Sequence, residues 1–389
     1  MSNEKIAIVL ISEGYGGTER RIGNLFKLLS KSSPSKYHLI INRKLYNSLQ
    51  KGNYHLEKYR NIHILEKKSV FDFKSQANEG FYVQLGRILT LFHYKSCIKK
   101  IIEKNNIRTV QVFLEMVPFL GLFPLKCVRM VASLVSHLPK YYDMGNINCW
   151  ILLQALKRYG RIDALSSYIA DNLVRLGVPE AKINYPKRNF VDHFKFAPNK
   201  KEKMITSTAR MLSFKNQMLF LDAIKMAIPR IDNDFKFYML GRGKLLGSIK
   251  RQIKKSRLQN RVYADFYYDP SNIINKSLIH VCIEEYDNFT NQSLLEGMSA
   301  GCAIIASRVG LTKNVVAPDA GILVKLSEKE ISDAMVKLAK NPKLAEQMGR
   351  NSRRKILEEH NAKTYLDYIA KVQDFSSKVH ILDGKTQNL

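Results

Sequence analysis

Short continuous apolar runs recur along the chain, each followed by a polar or glycine-marked break. Residues 5–11, 37–42, 62–65, 109–113 and 129–136 form one series of such runs. Residues 204–209, 235–240, 261–266, 278–283 and 303–307 form a second. Between the runs the apolar spacing changes. Ile22, Leu25, Phe26 and Leu29 recur at three and four residues, as do Leu85, Ile88, Leu89 and Phe92, and later Leu221, Ile224 and Ile228. Runs of four to eight residues read as strands, and the three-four spacing reads as helix. Strands too apolar to keep a wet face, alternating with helices, predict parallel sheets covered on both sides. The fold class expected is α/β, with two Rossmann-like doubly wound domains facing each other across a cleft.

At 389 residues the chain is long enough for two separate cores. Residues 197–203, APNKKEK, are polar and proline-marked and read as a linker. The expected organisation is an N-terminal domain over 1–196, the linker over 197–203 and a C-terminal domain over 204–361. A helix and tail over 362–389 would cross back to the first domain.

The most informative stretch is 277–310, SLIHVCIEEYDNFTNQSLLEGMSAGCAIIASRVG. It reads as a buried strand, a polar loop, a helix from about residue 293 to 300, and a second strand. In a parallel sheet, ligands gather at the carboxyl ends of strands, where helix N-termini point free N–H groups outward. The loop 284–292 lies there and offers Asn291, Gln292 and Ser293 to an anion. Glu296, one turn in, can accept from sugar hydroxyls. A second reading of Glu296 is a capping box with Ser293, which would satisfy only the helix start. At other strand ends stand Glu115, His137 and the glycine turn around Gly16 and Gly17, whose N–H groups could approach a phosphate closely.

QSLLEGMSAGCAIIAS, followed by VGLTKNVV and AGILVK, resembles the donor-binding half of the retaining, family-four glycosyltransferases of the GT-B fold. That family carries two acidic residues separated by seven others. Glu296 matches the second, which the resemblance assigns to the nucleotide ribose. The first falls at Asn288, which is not acidic, and Asp287, Glu284 and Glu285 stand close enough to have taken its role. The resemblance further implies that Arg210 and Lys215 neutralise the departing diphosphate, and that Gly241 lies in the turn facing the donor. GGTE at 16–19 resembles the family's first loop, which faces the donor phosphates. A histidine at the position of His137 would bond the transferred sugar, and Glu115 would orient the acceptor hydroxyl. The implied chemistry needs no metal, no cofactor and no protein nucleophile, because the leaving diphosphate helps deprotonate the attacking hydroxyl. Asp232-Asn-Asp234 mimics a metal-binding acidic triplet but precedes its strand, on the side away from the ligand crevice.

Charge adds a partner. The net charge is +29, and residues 1–200 hold 32 Lys and Arg against 14 Asp and Glu, a balance of +18. Such a field attracts an anionic membrane surface, nucleic acid or phosphorylated substrates. No aromatic-basic module or helix-turn-helix pattern supports nucleic acid. Five scattered cysteines suggest a reducing cytoplasm, and no apolar run reaches eighteen residues. The expected protein is a cytoplasmic glycosyltransferase, peripheral on the inner face of the cell membrane, that moves a sugar from a nucleotide-diphosphate sugar to a glycan or lipid-linked acceptor. A catalytically silent GT-B subunit supporting a partner enzyme and a nucleotide-sugar 2-epimerase are the alternatives.

Overall fold

The computed structural model describes residues 4–67, 81–135, 147–186, 189–286 and 291–375, with only the backbone of 81–85. The chain divides into two compact units, one over residues 1–187 and 366–389 and the other over 188–365.

The first unit alternates strand and helix: β1 Lys5–Ile11, α1 Gly17–Ser32, β2 Tyr37–Asn42, α2 Arg43–Lys51, β3 Ile62–Leu65, α3 Phe81–Asn105 and β4 Ile107–Leu114. It continues through α4 Met116–Leu122, β5 Arg129–Leu134, α5 Ile147–Leu156, β6 Arg161–Ala164, α6 Ser167–Arg175 and β7 Ile183–Asn184. The sheet order is β3-β2-β1-β4-β5-β6-β7, and every pairing is parallel. Val9, Val110, Val112 and Ala132 lie fully buried in its core, as strands covered on both faces require.

The second unit repeats the plan with β8 Glu202–Thr208, α7 Gln217–Ala227, β9 Lys236–Leu240, α8 Leu246–Lys255, β10 Val262–Asp265 and α9 Ser271–Lys276. Then come β11 Ser277–Cys282, α10 Gln292–Ser299, β12 Ala303–Ser307, α11 Thr312–Val315, β13 Gly321–Val324, α12 Glu328–Lys340 and α13 Pro342–Glu359. Its order is β10-β9-β8-β11-β12-β13, again all parallel. In both sheets the first strand of the unit sits between strands wound in opposite directions, β1 between β2 and β4, β8 between β9 and β11. Those are the topological switch points where doubly wound sheets hold ligands.

The segment 189–196 packs with the second unit, ahead of the polar stretch 197–203. Phe190 stacks against Tyr365 at 4.8 Å between ring centroids, and Asn189 O lies 3.0 Å from His360 Nδ1. Phe196 O accepts from Ser299 Oγ at 2.6 Å and from Arg353 at 2.8 Å. Burial of two phenylalanines outweighs the polarity that marks the chain just after them. Glu202 and Lys203 already belong to β8.

The last helix, α14 Ala362–Gln373, begins in the second unit and ends in the first. Tyr368 donates to Asp163 Oδ1 at 2.6 Å, and Gln373 donates to Gln111 Oε1 at 2.6 Å. Gln111 and Ser133 both donate to Asp163 Oδ2, at 3.2 and 2.8 Å. Burial pushes the Asp163 carboxyl up, while the Tyr368 and Ser133 hydrogen bonds and the charge of Arg21 hold it down.

Candidate functional site

After β8 the chain makes one tight turn over Ser213–Lys215 and enters α7 through Asn216 at φ 51°, a left-handed conformation that asparagine tolerates. The turn carries Lys215 inward, where it is 9% exposed. Its ammonium donates to Glu284 Oε2 at 2.5 Å. Glu284 opens the loop after β11 and is itself fixed. Its N–H donates to Ser307 Oγ at the end of β12, and that hydroxyl donates back to the Glu284 carbonyl, both at 2.9 Å. The neighbouring Glu285 N–H donates to Phe214 O at 3.3 Å. Loops from three strands are therefore laced together at one end of the sheet. Arg210, in the same turn, stays exposed, with its guanidinium 5.7 Å from the Phe214 ring. Lys215 Nζ lies 5.5 Å from that ring, so one aromatic side chain serves both cations.

The second oxygen of Glu284 accepts from Asn291 Nδ2 at 2.5 Å, and Asn291 Oδ1 accepts the Ser293 N–H at 2.9 Å as the N-cap of α10. Ser293 Oγ lies 3.0 Å from His280 Nε2, and the ring's other nitrogen lies 2.9 Å from Thr206 Oγ1. Burial, reinforced by Lys201, lowers the His280 pKa to about 4, so the ring is neutral. The capping box that the second reading of Glu296 places at Ser293 does not form. Asn291 caps the helix, Ser293 serves His280, and Glu296 lies a turn further in, 1% exposed.

Gly241 and Gly243 allow the turn after β9 to touch the turn after β8. A Cβ on Gly241 would fall 1.8 Å from Ala209 O, and one on Gly243, at φ +152°, 2.4 Å from Met211 O. Packing thus accounts for Gly241. Several polar side-chain atoms in this region are buried without a hydrogen-bond partner among the described residues. They are Thr208 Oγ1, Asn216 Nδ2 and Gln217 Oε1 around the turn after β8, and Gln292 Oε1 at the start of α10. Buried polar groups rarely stay unpaired, so such a cluster calls for a ligand or for water.

In the first unit, the turn between β1 and α1 is closed by its own carboxylate. Glu19 accepts from Gly16 N–H at 2.8 Å and from Ser12 Oγ at 2.8 Å. Asn42, at the end of β2, exchanges hydrogen bonds with the Ser12 backbone at 3.2 and 3.0 Å. The expected offer of the Gly16 N–H to a phosphate is therefore corrected: Glu19 already holds it. Gly17 is the first residue of α1. Glu115 accepts from the Glu13 N–H at 3.2 Å. Its carboxyl is pushed up, first by desolvation and then by the charges of Glu13 and Glu19, against the Glu13 hydrogen bond that lowers it. Nothing in the sequence spacing pointed to Glu19 or Asn42 as the organisers of this turn. His137, Asp287 and Asn288 lie outside the described residues. Asp232 and Asp234 pair with Lys203 on the amino side of β9.

Residues 189–355 match the family model for glycosyl transferases group 1. The poly(ribitol-phosphate) alpha-N-acetylglucosaminyltransferase of Staphylococcus aureus (strain COL) is 22% identical over 211 residues. That match spans 53% of this chain and 40% of the relative. Among solved structures, Anabaena Alr3699/HepE in complex with UDP and glucose superposes with a TM-score of 0.74 at 13% identity, covering 95% of this chain and 98% of that one. A point mutant of TarM from S. aureus, in complex with Fondaparinux, alpha-GlcNAc-glycerol and UDP, gives 0.71 at 14% identity, covering 95% and 100%. Residues 189–355 thus match the glycosyl transferases group 1 family, within a chain that shares the GT-B fold of these solved glycosyltransferases.

Proposed function

We propose that the protein is a retaining glycosyltransferase that moves a sugar from a nucleotide-diphosphate sugar to a hydroxyl of a glycan or lipid-linked acceptor in surface polysaccharide synthesis. The observation that carries this reading is the convergence, at the switch point of the second sheet, of Arg210, Lys215, the α10 N-terminus and buried Glu296. Unpaired polar atoms mark the same segments. Two cations and a helix N-terminus suit a diphosphate leaving group, whose growing charge they stabilise without a metal. Glu296 accepts from the ribose. In the first unit, Glu115 orients the acceptor hydroxyl and raises its nucleophilicity through a hydrogen bond, consistent with a carboxyl already pushed up. The relatives' UDP and UDP-sugar complexes favour a uridine donor. The discriminating experiment is hydrolysis and transfer across a panel of nucleotide sugars, together with Glu296→Gln. Glu296→Gln should weaken nucleotide binding by about 1.5–3 kcal/mol while leaving thermal stability nearly unchanged. A wild type that binds and cleaves no nucleotide sugar would favour a catalytically silent subunit.

The acceptor side lies, in this reading, against the inner face of the cell membrane. No helix among the described residues is long and apolar enough to cross one. Instead Ile88, Phe92, Phe123, Ile147 and Trp150 are exposed along α3, the end of α4 and α5. The rings of Phe92, Phe119 and Phe123 pack together at 4.9–5.2 Å, with Lys95 over Phe123. Residues 81–135 and 147–158 hold ten Lys and Arg against two Asp and Glu. Aromatic side chains beside excess positive charge match an anionic lipid interface. Binding to anionic vesicles should weaken as salt rises and drop in Phe92→Ser/Trp150→Ser. Equal binding to neutral vesicles, or self-association through this face, would count against it.

A further inference from the structure

The donor reading leaves one group without a task, the carboxylate of Glu284. Both of its oxygens already accept, one from Lys215 and one from Asn291, each at 2.5 Å. Each oxygen keeps a further lone pair, but the two contacts give the carboxylate a role beyond accepting from a donor sugar. We propose that Glu284 is a built-in counter-anion for Lys215 that competes with the nucleoside diphosphate product and thereby sets how fast that product leaves. The inference rests on the donor-site reading of Lys215.

Lys215 and Glu284 each keep only 11% of their side-chain surface in solvent. Enclosing one partner of an ion pair without the other is costly, so the pair belongs together while the site is empty. Glu284 supplies the anion and cannot swing away. Its backbone is locked on Ser307, the next N–H is tied to Phe214, and Asn291 holds the second oxygen. When a diphosphate arrives, the ammonium is shared and not handed over, since it has three donors and the carboxylate stays in place. A fixed negative charge on the far side of that ammonium weakens its hold on any anion in front of it. Arg210 carries no such restraint, having no carboxylate partner among the described residues. Among the described residues the clamp therefore consists of one unopposed cation and one tempered cation. Because Asn291 also caps α10, the carboxylate and the positive end of that helix keep a constant relation to each other. A diphosphate gripped by two unopposed cations would leave slowly, and product release commonly limits turnover.

Glu284→Gln tests this in the full-length protein by calorimetry and stopped-flow dissociation, with uridine diphosphate and uridine as probes. The variant should bind uridine diphosphate about tenfold more tightly, release it more slowly, and lower kcat and KM together, since slower release leaves kcat/KM unchanged. Uridine affinity should stay unchanged. In a Lys215→Met background the substitution should have no effect on diphosphate affinity, because the two residues act as a pair. If Glu284→Gln does not fold, Glu284→Asp withdraws the carboxylate by one methylene and should tighten binding by a smaller factor. Unchanged or weaker diphosphate binding in folded variants would overturn the inference while leaving the donor reading intact. A wild type that binds neither uridine diphosphate nor the diphosphates of adenosine, guanosine and thymidine would overturn both.

Discussion

The turn from β1 into α1 and the turn from β8 into α7 hold the same place in their sheets, yet opposite chemistry closes them. In the first, Glu19 reaches back to the Gly16 N–H and the Ser12 hydroxyl, so the turn's own polar groups satisfy one another. In the second, the charge that organises the turn is a lysine, its partner comes from another strand, and neighbouring polar atoms stay unpaired among the described residues. The first turn is closed by its own groups, although Arg21 Nε, one turn into α1, is also buried without a hydrogen-bond partner among the described residues. The other is finished only in part, and a ligand has something to add there. The difference separates a turn that keeps its shape unaided from a turn that is poised to bind.

Breaking the second turn should have the largest effect. Arg210→Ala and Lys215→Ala are each expected to lower turnover roughly a hundredfold or more, since each removes a cation facing the leaving diphosphate. Thermal stability should change little for exposed Arg210. A loss of less than tenfold for both would dissolve the contrast. Glu19→Gln probes the first turn. Its amide keeps one acceptor for two donors, so stability should fall by about 1–2 kcal/mol, read from urea unfolding, with nucleotide affinity untouched. An effect on nucleotide affinity as large as that of Lys215→Ala would mean the first turn also binds.

A pH dependence is expected of both units alike. His280 in the second unit and His38 in the first are each lowered to about 4, mainly by burial. A base with a depressed folded-state pKa is protonated more readily when unfolded. Its contribution to stability is therefore present above the ordinary pKa of about 6.5 and lost as pH falls toward 4. Chemical denaturation at pH 7 and pH 5 should show lower stability at pH 5. His280→Asn and His38→Asn should each flatten that dependence.

Most of the fold was legible because the apolar runs are continuous and their interruptions are sharp. β1, β2, β3 and β12 fall on the residues that the pattern marks, and the Lys340-Asn-Pro342 break separates α12 from α13. The unit boundary was less legible, since Phe190 and Phe196 reveal their allegiance only through contacts with distant Tyr365, Ser299 and Arg353. At the candidate site, Arg210, Lys215, Glu284, Asn291 and Glu296 could each be named from the chain. Their pairing could not. Lys215 meets Glu284 across 69 positions, and no periodicity encodes which carboxylate will face which cation. Short-range grammar left two readings open at Ser293, where a capping signature stands beside a better cap, Asn291, two residues earlier. Glu19 was hidden for the opposite reason: its task is local, but a glutamate in a first helical turn is too ordinary to stand out.

Asp163 sets an order of events during synthesis. It lies buried on β6, next to the edge strand of the first sheet, yet its Tyr368 partner is added only after the whole second unit has been translated. Gln111 waits for Gln373 in the same way. A ribosome that has released residues 1–187 has therefore made a sheet with a buried carboxylate one donor short. The nascent first unit must keep that groove hydrated or protonate the acid until α14 arrives. The early unit's final consolidation thus becomes a late step in the life of the chain.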